Sequence, residues 1–389
     1  MNDEAAALAR QCEALCVDMT FDAVKKWKAA HPGRPAVGHL PVYAPRELIH
    51  AVGGLPVALL GGGDNVDIVK GDACFQSYIC HIPRSTVELG LRGSLACLDG
   101  VVFPSTCDVI RNLSGIWQML FPNQYVRYLD LPQSFDDDVG GAFYRTDLVA
   151  FAADLEKLGG APLTPANLAR SIELYNLNRQ AIDALYQLRA DAPWWVPPDE
   201  AYVVLRASAV LDVTAHTELV HRYIAAAKRR NRKAEDRVRV MVIGAFCEQP
   251  PLGMLRTLDR SGCYVVDDDL FLGAHWTVGE VVPGEDPLRA LALSYLHQST
   301  WASMRYEYEQ DRGDALVERV RKRHLDGVVF AAPSFCDPAL LDQPPLQKAL
   351  NAANIPFISF KYAENTGQFQ GMREQAGTFS DSIKLWGAA

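Results

Sequence analysis

Apolar and polar positions along the first part of the chain follow two alternating patterns. Short apolar runs, "AVGHLPVY", "LPVALL", "DGVVF" and "YVRYLDL", are separated by segments with helical spacing, "PRELIHAVGG", "PRSTVELGLRG" and "IRNLSGIWQMLF". Continuous apolar runs predict strands buried on both faces, and strands that alternate with helices are typical of βαβ units. Residues 1–160 are therefore predicted to form an α/β domain with a parallel sheet.

The middle of the chain, residues 161–235, shows helical periodicity alone, broken by "DAPWWVPP". Thr164 before Pro165 predicts a helix start, because threonine is a good N-cap and proline suits the first helical position. This segment is predicted to be a helical connector.

Residues 236–389 return to the alternating pattern. The runs "VRVMVIGAF", "CYVVDDDL", "DGVVFAAP" and "IPFISF" predict strands, and "LGMLRTLDRSG", "GDALVERVRKRHL" and "PLQKALNAAN" predict helices. The run "LDGVVF" occurs in both halves, at 98–103 and at 325–330. We therefore predict two Rossmann-like, doubly wound parallel-sheet domains of duplicated topology.

Each copy of the repeated strand leads into a Cys-Asp pair, Cys107-Asp108 and Cys336-Asp337. In open parallel sheets, ligands gather outside the carboxyl ends of the strands. If the two domains face each other, both cysteines point into one cleft.

Cys80, in "QSYICHIPRSTVELG", offers a third thiol just before a predicted helix, a position that favours thiolate. Cys74, six residues earlier, is the alternative candidate for the third thiol. The chain has no Cys-x-x-Cys pair in these segments, so spacing alone leaves three possibilities open. These are ordinary buried cysteines, a zinc site, and an iron–sulfur or other redox site.

Composition and charge exclude some classes of protein. The formal net charge of -9 argues against a general nucleic-acid binder, and the basic run "KRRNRK" at 228–233 is predicted to be a solvated helix end. No export signal and no run of roughly 18 apolar residues is apparent, so we expect a cytoplasmic protein that does not span a membrane. Nine cysteines, an odd number, do not suggest a disulfide framework.

Three segments, "YICHIPRSTVELGLRG", "VVFPSTCDVIRN" and "DGVVFAAPSFCDP", resemble the cysteine segments of the 2-hydroxyacyl-CoA dehydratase / benzoyl-CoA reductase family. The resemblance runs from Gly38 to Trp386, and the ending "AENTGQFQGMREQAGTFSDSIKLWG" most resembles the benzoyl-CoA reductase branch. The resemblance implies that Cys80, Cys107 and Cys336 bind one [4Fe–4S] cluster per chain. Cys74 has no counterpart in it.

The resemblance also implies a function. A subunit of this kind helps an ATP-dependent benzoyl-CoA reductase convert the aromatic ring of benzoyl-CoA to a cyclohexadienoyl-CoA by successive low-potential electron and proton transfers, in anaerobic aromatic degradation. Three thiolates would leave one iron of the cluster open. The implied partners are a paralogous cluster-binding subunit, an ATP-hydrolysing subunit pair with its own cluster, and ferredoxin as electron donor.

The chain has no P-loop motif, which agrees with ATP being used by partner subunits. The segment "GGGDNVD" at 61–67 lacks the Lys-Ser/Thr of a P-loop and is predicted to be a strand-exit turn, with contact to a CoA phosphate as the alternative. Two other functions stay open. One is a subunit of a 2-hydroxyacyl-CoA dehydratase, a radical lyase, and the other is an electron-relay or scaffold subunit whose cluster never meets substrate.

His81 and His39 are the candidate proton donors, because histidine titrates near neutrality. Each is equally compatible with a structural role. Asp108 and Asp337 are expected to cap the helices that follow them, with a supporting role beside the cluster as the alternative.

The remaining polar and thiol side chains are expected to be structural. Arg84 and Arg111 are predicted to form surface ion pairs, with CoA phosphates as the alternative partners. Packing roles are predicted for four cysteines: Cys12, Cys16, Cys247 and Cys263. Cys247 could instead line the cleft.

Overall fold

The computed structural model describes residues 3–40, 42–244, 250–270, 276–300, 305, 311–363 and 369–386. Its strands form two four-stranded parallel sheets. The first sheet contains β1 Ala36–His39, β2 Leu55–Ala58, β3 Gly100–Pro104 and β4 Tyr125–Leu129, and the second contains β5 Val238–Ile243, β6 Cys263–Asp268, β7 Gly327–Pro333 and β8 Phe357–Tyr362.

The two sheets have the same topology. Their strand orders are β2-β1-β3-β4 and β6-β5-β7-β8, so the first strand of each half lies between the second and the third. This arrangement confirms the prediction of two doubly wound α/β units with duplicated topology. The repeated sequence forms β3 and β7, which occupy equivalent positions and are buried along their whole length, as their β-branched and aromatic residues predict.

Helices surround and connect the sheets. The first half contains α1 Glu4–Val17, α2 Asp22–Ala30, α3 Arg46–Ala51, α4 His81–Leu91, α5 Asp108–Leu120 and α6 Ala142–Lys157. The central helices are α7 Pro165–Asp191, α8 Pro198–Arg206 and α9 Val213–Ala227. The second half contains α10 Leu252–Arg260, α11 Pro287–Gln298, α12 Arg312–Lys322, α13 Asp337–Ala352 and α14 Gln370–Trp386. No helix in the described ranges is both long and apolar enough to cross a membrane.

The predicted start of α7 is confirmed in detail. The Thr164 side chain accepts a hydrogen bond from the Asn167 N–H, and the Asn167 side chain accepts one from the Thr164 N–H, which completes a capping box. Pro165 occupies the first turn, where backbone N–H groups have no acceptor within the helix, so the absence of its N–H costs no hydrogen bond.

The first helix packs away from the sheet that follows it in the sequence. α1 contacts α8 and α9, and Cys12 belongs to the hydrophobic core of the second half. The basic run that follows α9 is exposed, as predicted, apart from the side chain of Arg230. Arg230 is buried between Asp3 and Glu200, because the carboxylates of α8 and the N-terminus converge on it. The division of the chain at residues 160 and 235 stays a proposal.

One predicted helix begins too late. The spacing predicts a helix from Pro345, whereas α13 begins at Asp337 and continues through Pro344 and Pro345. Proline lacks a backbone N–H and is disfavoured inside helices, so the pair Pro344-Pro345 argued against a helix that extends across it. The first turn still forms, with the Leu340 N–H donating to the Cys336 carbonyl at 3.0 Å.

Candidate cluster-binding site

The carboxyl ends of β3 and β7 form equivalent positions in the two halves. In each sheet the chain moves from the first strand outward on one side and then crosses to the other side, so the crevice beside the first strand is a topological switch point. Cys107 follows β3, and Cys336 follows β7. Both cysteines therefore lie where doubly wound sheets bind ligands.

The turns that carry these two cysteines share more sequence than the Cys-Asp pair. Both read Pro-Ser-x-Cys-Asp, at 104–108 and at 333–337. The Ser105 N–H donates to the Leu129 carbonyl at 2.9 Å, and the Ser334 N–H donates to the Tyr362 carbonyl at 2.7 Å. Each serine thus fastens its turn to the end of the neighbouring strand. The sequence analysis compared only the Cys-Asp pairs, although this five-residue motif already indicated that the two turns are alike.

All three candidate ligands occupy the N-cap position of a helix: Cys80 of α4, Cys107 of α5 and Cys336 of α13. The prediction that Asp108 and Asp337 cap these helices was wrong, since both lie in the first turn, one residue after the cap. Their carboxylates still suit that position because the N-terminus of a helix carries partial positive charge.

The fold brings the cysteines of the two halves into the same hydrophobic core. Cys80 is 9% exposed and Cys336 is 7% exposed, and both belong to the core of the first half, against which the partly buried Cys107 also packs. Ala332 and Ala339 accompany Cys336 into that core. Cysteines from both halves of the chain therefore belong to, or pack against, one hydrophobic core.

Within the described part of the chain, no three His, Cys, Asp or Glu side chains are placed to hold a single metal ion. A cluster makes a different demand, because each of its thiolates binds a different iron.

Burial dominates the protonation of the Cys107 thiol. It raises the pKa of Cys107, although interactions with the Ile110 and Val109 N–H groups of the first helical turn lower it. The thiol form is therefore favoured at neutral pH. A bound metal would supply the charge that stabilises the thiolate.

The two candidate histidines differ in their surroundings. Burial, together with the cation of Arg84, lowers the pKa of His81 to about 4. Burial also lowers the pKa of His39 to about 4, and its Nδ1–H donates to the Leu40 carbonyl at 2.9 Å. Neutral imidazole is thus the dominant form of both at pH 7. In that form the Nε2 of His39 carries no proton, because the proton is held on Nδ1. Proton donation by either residue stays a prediction.

A cavity of about 240 Å³ lies where α1, the first half and the second half meet. Its lining includes His81, Cys16, Arg206, Tyr362 and Gly63. The cavity reaches the residue that follows Cys80, but Cys80, Cys107 and Cys336 are not among its lining residues.

The other predicted thiols are structural where the structure describes them. Cys12 and Cys263 are buried, and burial raises the pKa of each to about 12. The Cys16 thiol donates to the Val203 carbonyl at 3.7 Å, and Cys74 is only partly buried. Cys247 lies outside the described residues.

The polar segments near Cys80 also follow the simpler predictions. Arg84 pairs with Asp72 at 2.8 Å, as expected for an ion pair. Arg111 is exposed on α5, and its ion pair stays a prediction. The glycine-rich segment at 61–67 leaves β2 as a turn, and its Gly62 N–H donates to the Ser85 hydroxyl at 3.1 Å. The sequence analysis did not identify Glu88, a buried carboxylate on α4 that accepts hydrogen bonds from the backbone of residues 69–71.

Comparison with known proteins identifies the family of this chain. The family model described as 2-hydroxyglutaryl-CoA dehydratase, D-component, matches residues 41–383. The C subunit of benzoyl-CoA reductase from Thauera aromatica is 48% identical over 377 residues, which cover 97% of this chain and 98% of that protein.

More distant relatives have different names. The beta subunit of (R)-phenyllactyl-CoA dehydratase from Clostridium sporogenes is 25% identical over 90% of this chain and 92% of its own length. The beta subunit of (R)-2-hydroxyglutaryl-CoA dehydratase from Acidaminococcus fermentans is 26% identical over 92% of this chain and 94% of its own length. The match of the family model to most of the chain, together with these similarities, shows that the chain belongs to the 2-hydroxyglutaryl-CoA dehydratase D-component family, which includes subunits of reductase and dehydratase enzymes.

Proposed function

We propose that this chain is the cluster-binding subunit of an ATP-dependent benzoyl-CoA reductase. The observation that carries the proposal is the 48% identity to the C subunit of a benzoyl-CoA reductase, in a chain whose Cys80, Cys107 and Cys336 each lie at the N-terminus of a helix. The reaction would reduce the aromatic ring of benzoyl-CoA to a cyclohexadienoyl-CoA.

The three cysteines fit a [4Fe–4S] cluster by their chemistry and their surroundings. Thiolates are the usual protein ligands of such clusters, and three of them leave one iron for another ligand. Each cysteine caps a helix, so three sets of N-terminal N–H groups favour negative charge at the site. The apolar core around Cys80 and Cys336 excludes water, which with hydrogen bonding tunes the potential of a cluster.

When bound, the cluster would supply low-potential electrons one at a time and an open coordination position. The chain's own residues would hold and shield it. The Ser105 and Ser334 turns fix Cys107 and Cys336 against the neighbouring strands. The buried His81 and His39 would be candidates to supply protons, each after taking up a proton during the reaction.

The finer partner assignments belong to the same proposal. We expect a paralogous subunit with a similar site, an ATP-hydrolysing pair that carries its own cluster, and a ferredoxin as electron donor. The relatives are named as subunits, which supports assembly with other chains. The proposed location is the cytoplasm of an anaerobically growing cell.

A 2-hydroxyacyl-CoA dehydratase subunit is the second candidate. The observation that favours it is the similarity to dehydratase beta subunits over nine tenths of the chain. The reductase is preferred because the identity of 48% to its C subunit is almost twice that to the dehydratase subunits. An electron-relay subunit, whose cluster never meets substrate, is compatible with the same site.

The two enzymes can be separated by turnover of the purified complex. Supplied anaerobically with benzoyl-CoA, ATP and reduced ferredoxin, it should form a cyclohexadienoyl-CoA and consume ATP and reductant in every turnover. Net conversion of a 2-hydroxyacyl-CoA without net use of reductant would instead identify a dehydratase. A structure with benzoyl-CoA bound would identify a relay subunit if the acyl group approached the partner's cluster alone.

A further inference from the structure

The loop that leaves β2, residues 61–74, lies along α4, the helix that begins after Cys80. We call this segment the strand-exit loop. Its contacts with α4 begin where the Gly62 N–H donates to the Ser85 hydroxyl at 3.1 Å, and they continue where Arg84 pairs with Asp72 at 2.8 Å. The loop and the helix therefore share several polar contacts along their length.

Glu88 makes the central contact. Its Oε2 accepts hydrogen bonds from three consecutive N–H groups, Val69 at 3.0 Å, Lys70 at 2.7 Å and Gly71 at 2.9 Å. Its Oε1 accepts from Arg92 Nε at 2.8 Å. Successive backbone N–H groups of this kind form an anion-binding concavity. Here the protein's own carboxylate occupies the concavity that the N–H groups of residues 69–71 form.

At Gly71 the loop lies so close to α4 that no side chain fits between them. A Cβ atom on Gly71 would lie 2.2 Å from the Arg84 carbonyl oxygen. The Glu88 side chain is itself only 3% exposed. The loop is therefore pressed against α4, and Glu88 satisfies the three donors that this packing buries.

A short path connects this contact to Cys80. Residues 75–79 separate the end of the strand-exit loop from the cysteine. On the helix side, Arg84 Nε lies 3.5 Å from the Cys80 carbonyl oxygen while its Nη1 holds Asp72 of the loop. Displacement of residues 69–72 would thus move both the tether before Cys80 and the arginine that contacts its carbonyl.

We propose that Glu88 is a positioning residue for the Cys80 thiol, which it holds in place for the cluster by fixing the strand-exit loop to α4. The inference rests on the proposed function, because it assumes that Cys80 binds the cluster. It adds a residue that touches neither the cluster nor the substrate and acts through the backbone of residues 69–72.

The test compares Glu88→Gln and Glu88→Ala with the wild type in the anaerobically purified complex. Glutamine keeps the shape and one acceptor oxygen, but its amide nitrogen faces the Arg92 donor. Alanine removes both acceptors. The matched control is Glu200→Gln, because the Glu200 carboxylate also joins two helices by accepting from Tyr223 and Arg230, outside the strand-exit loop and α4.

Four measurements are needed: amide hydrogen exchange, the electron paramagnetic resonance spectrum, the midpoint potential and the iron content. Hydrogen exchange of the Lys70 and Gly71 amides should accelerate roughly tenfold to a hundredfold in Glu88→Ala, since a buried hydrogen-bond acceptor is lost. The reduced cluster should show an altered electron paramagnetic resonance spectrum and a shifted midpoint potential, or iron should be lost from the chain. Glu88→Gln should give the same changes to a smaller degree, and Glu200→Gln should leave the spectrum, the potential and the iron content unchanged.

Faster amide exchange with an unchanged spectrum, potential and iron content would overturn the positioning role, because Glu88 would then serve stability alone. If Glu88→Ala fails to fold, Glu88→Gln decides by the same readouts. Failure of the proposed function is recognised separately. In that case the wild-type chain would hold no cluster, or Cys80→Ser would retain all of its iron.

Discussion

At the scale of single residues, the environment of a side chain decides its chemistry more than its type does. Cys263 is fully buried at the start of β6, where its pKa rises to about 12, whereas Cys80, Cys107 and Cys336 lie at helix N-termini. Glu88 shows the opposite shift. Burial alone would raise its pKa, but the hydrogen bonds from Gly71, Arg92, Val69 and Lys70 lower it to about 2.

The lowered pKa of Glu88 predicts a dependence of stability on pH. The folded-state pKa of about 2 is below the ordinary 4.5, so the stabilisation is complete above pH 4.5 and is lost as the pH falls toward 2. Urea unfolding should therefore show that Glu88→Gln costs about 2 kcal/mol more at pH 6 than at pH 3.

The comparison between variant and wild type cancels the titration of other carboxylates, which both proteins share. Arg92→Gln is a useful companion because it removes one hydrogen bond to Glu88 while the three backbone donors remain. An equal cost of Glu88→Gln at both pH values would contradict the account.

At the scale of elements, periodicity predicted the strands and most helices because each follows one dominant pattern. α13 was predicted only from Pro345 onward, because proline is unusual inside a helix, and α2 and α6 were not predicted. The position of Cys80 just before a helix was predicted, but the N-cap positions of Cys107 and Cys336 were not, because cysteine is not among the preferred N-cap residues. Glu88 was missed because its three donors are 17 to 19 positions earlier and meet it only through tertiary packing.

The capping box of α7 allows a direct test of an element that the sequence did predict. Thr164→Ala removes the acceptor of the Asn167 N–H and should lower the free energy of unfolding by about 1 kcal/mol. Thr164→Ser keeps the hydroxyl and should cost little. Equal destabilisation by alanine and serine, measured by urea unfolding, would show that the methyl group and not the cap stabilises this end.

At the scale of the whole molecule, α7 joins the two halves through buried charges. Arg179 pairs with Glu47 of α3 at 2.7 Å, and Arg189 pairs with Asp268 at the end of β6 at 2.7 Å, with every side chain at most 6% exposed. The helix thus fixes the half that carries Cys80 and Cys107 relative to the half that carries Cys336. No local pattern in the sequence could indicate these partners, which lie 132 and 79 positions apart.

Breaking one of these pairs should be costly because it leaves the other charge buried. Arg179→Gln is expected to lower the free energy of unfolding by roughly 3–5 kcal/mol. The double variant Glu47→Gln/Arg179→Gln should cost less than the sum of the two single variants, as a double-mutant cycle would measure. Strict additivity would mean that the two side chains do not stabilise each other.

The central claim is that Cys80, Cys107 and Cys336 together hold one [4Fe–4S] cluster. Iron and acid-labile sulfide analysis of the anaerobically purified complex tests it most directly. Cys107→Ser and Cys336→Ser should each remove about four iron and four sulfide per chain, since the ligands come from both halves of one site. Cys263→Ser, which changes a fully buried thiol at the start of β6, should remove none. Retention of all iron by both Cys107→Ser and Cys336→Ser would contradict the account.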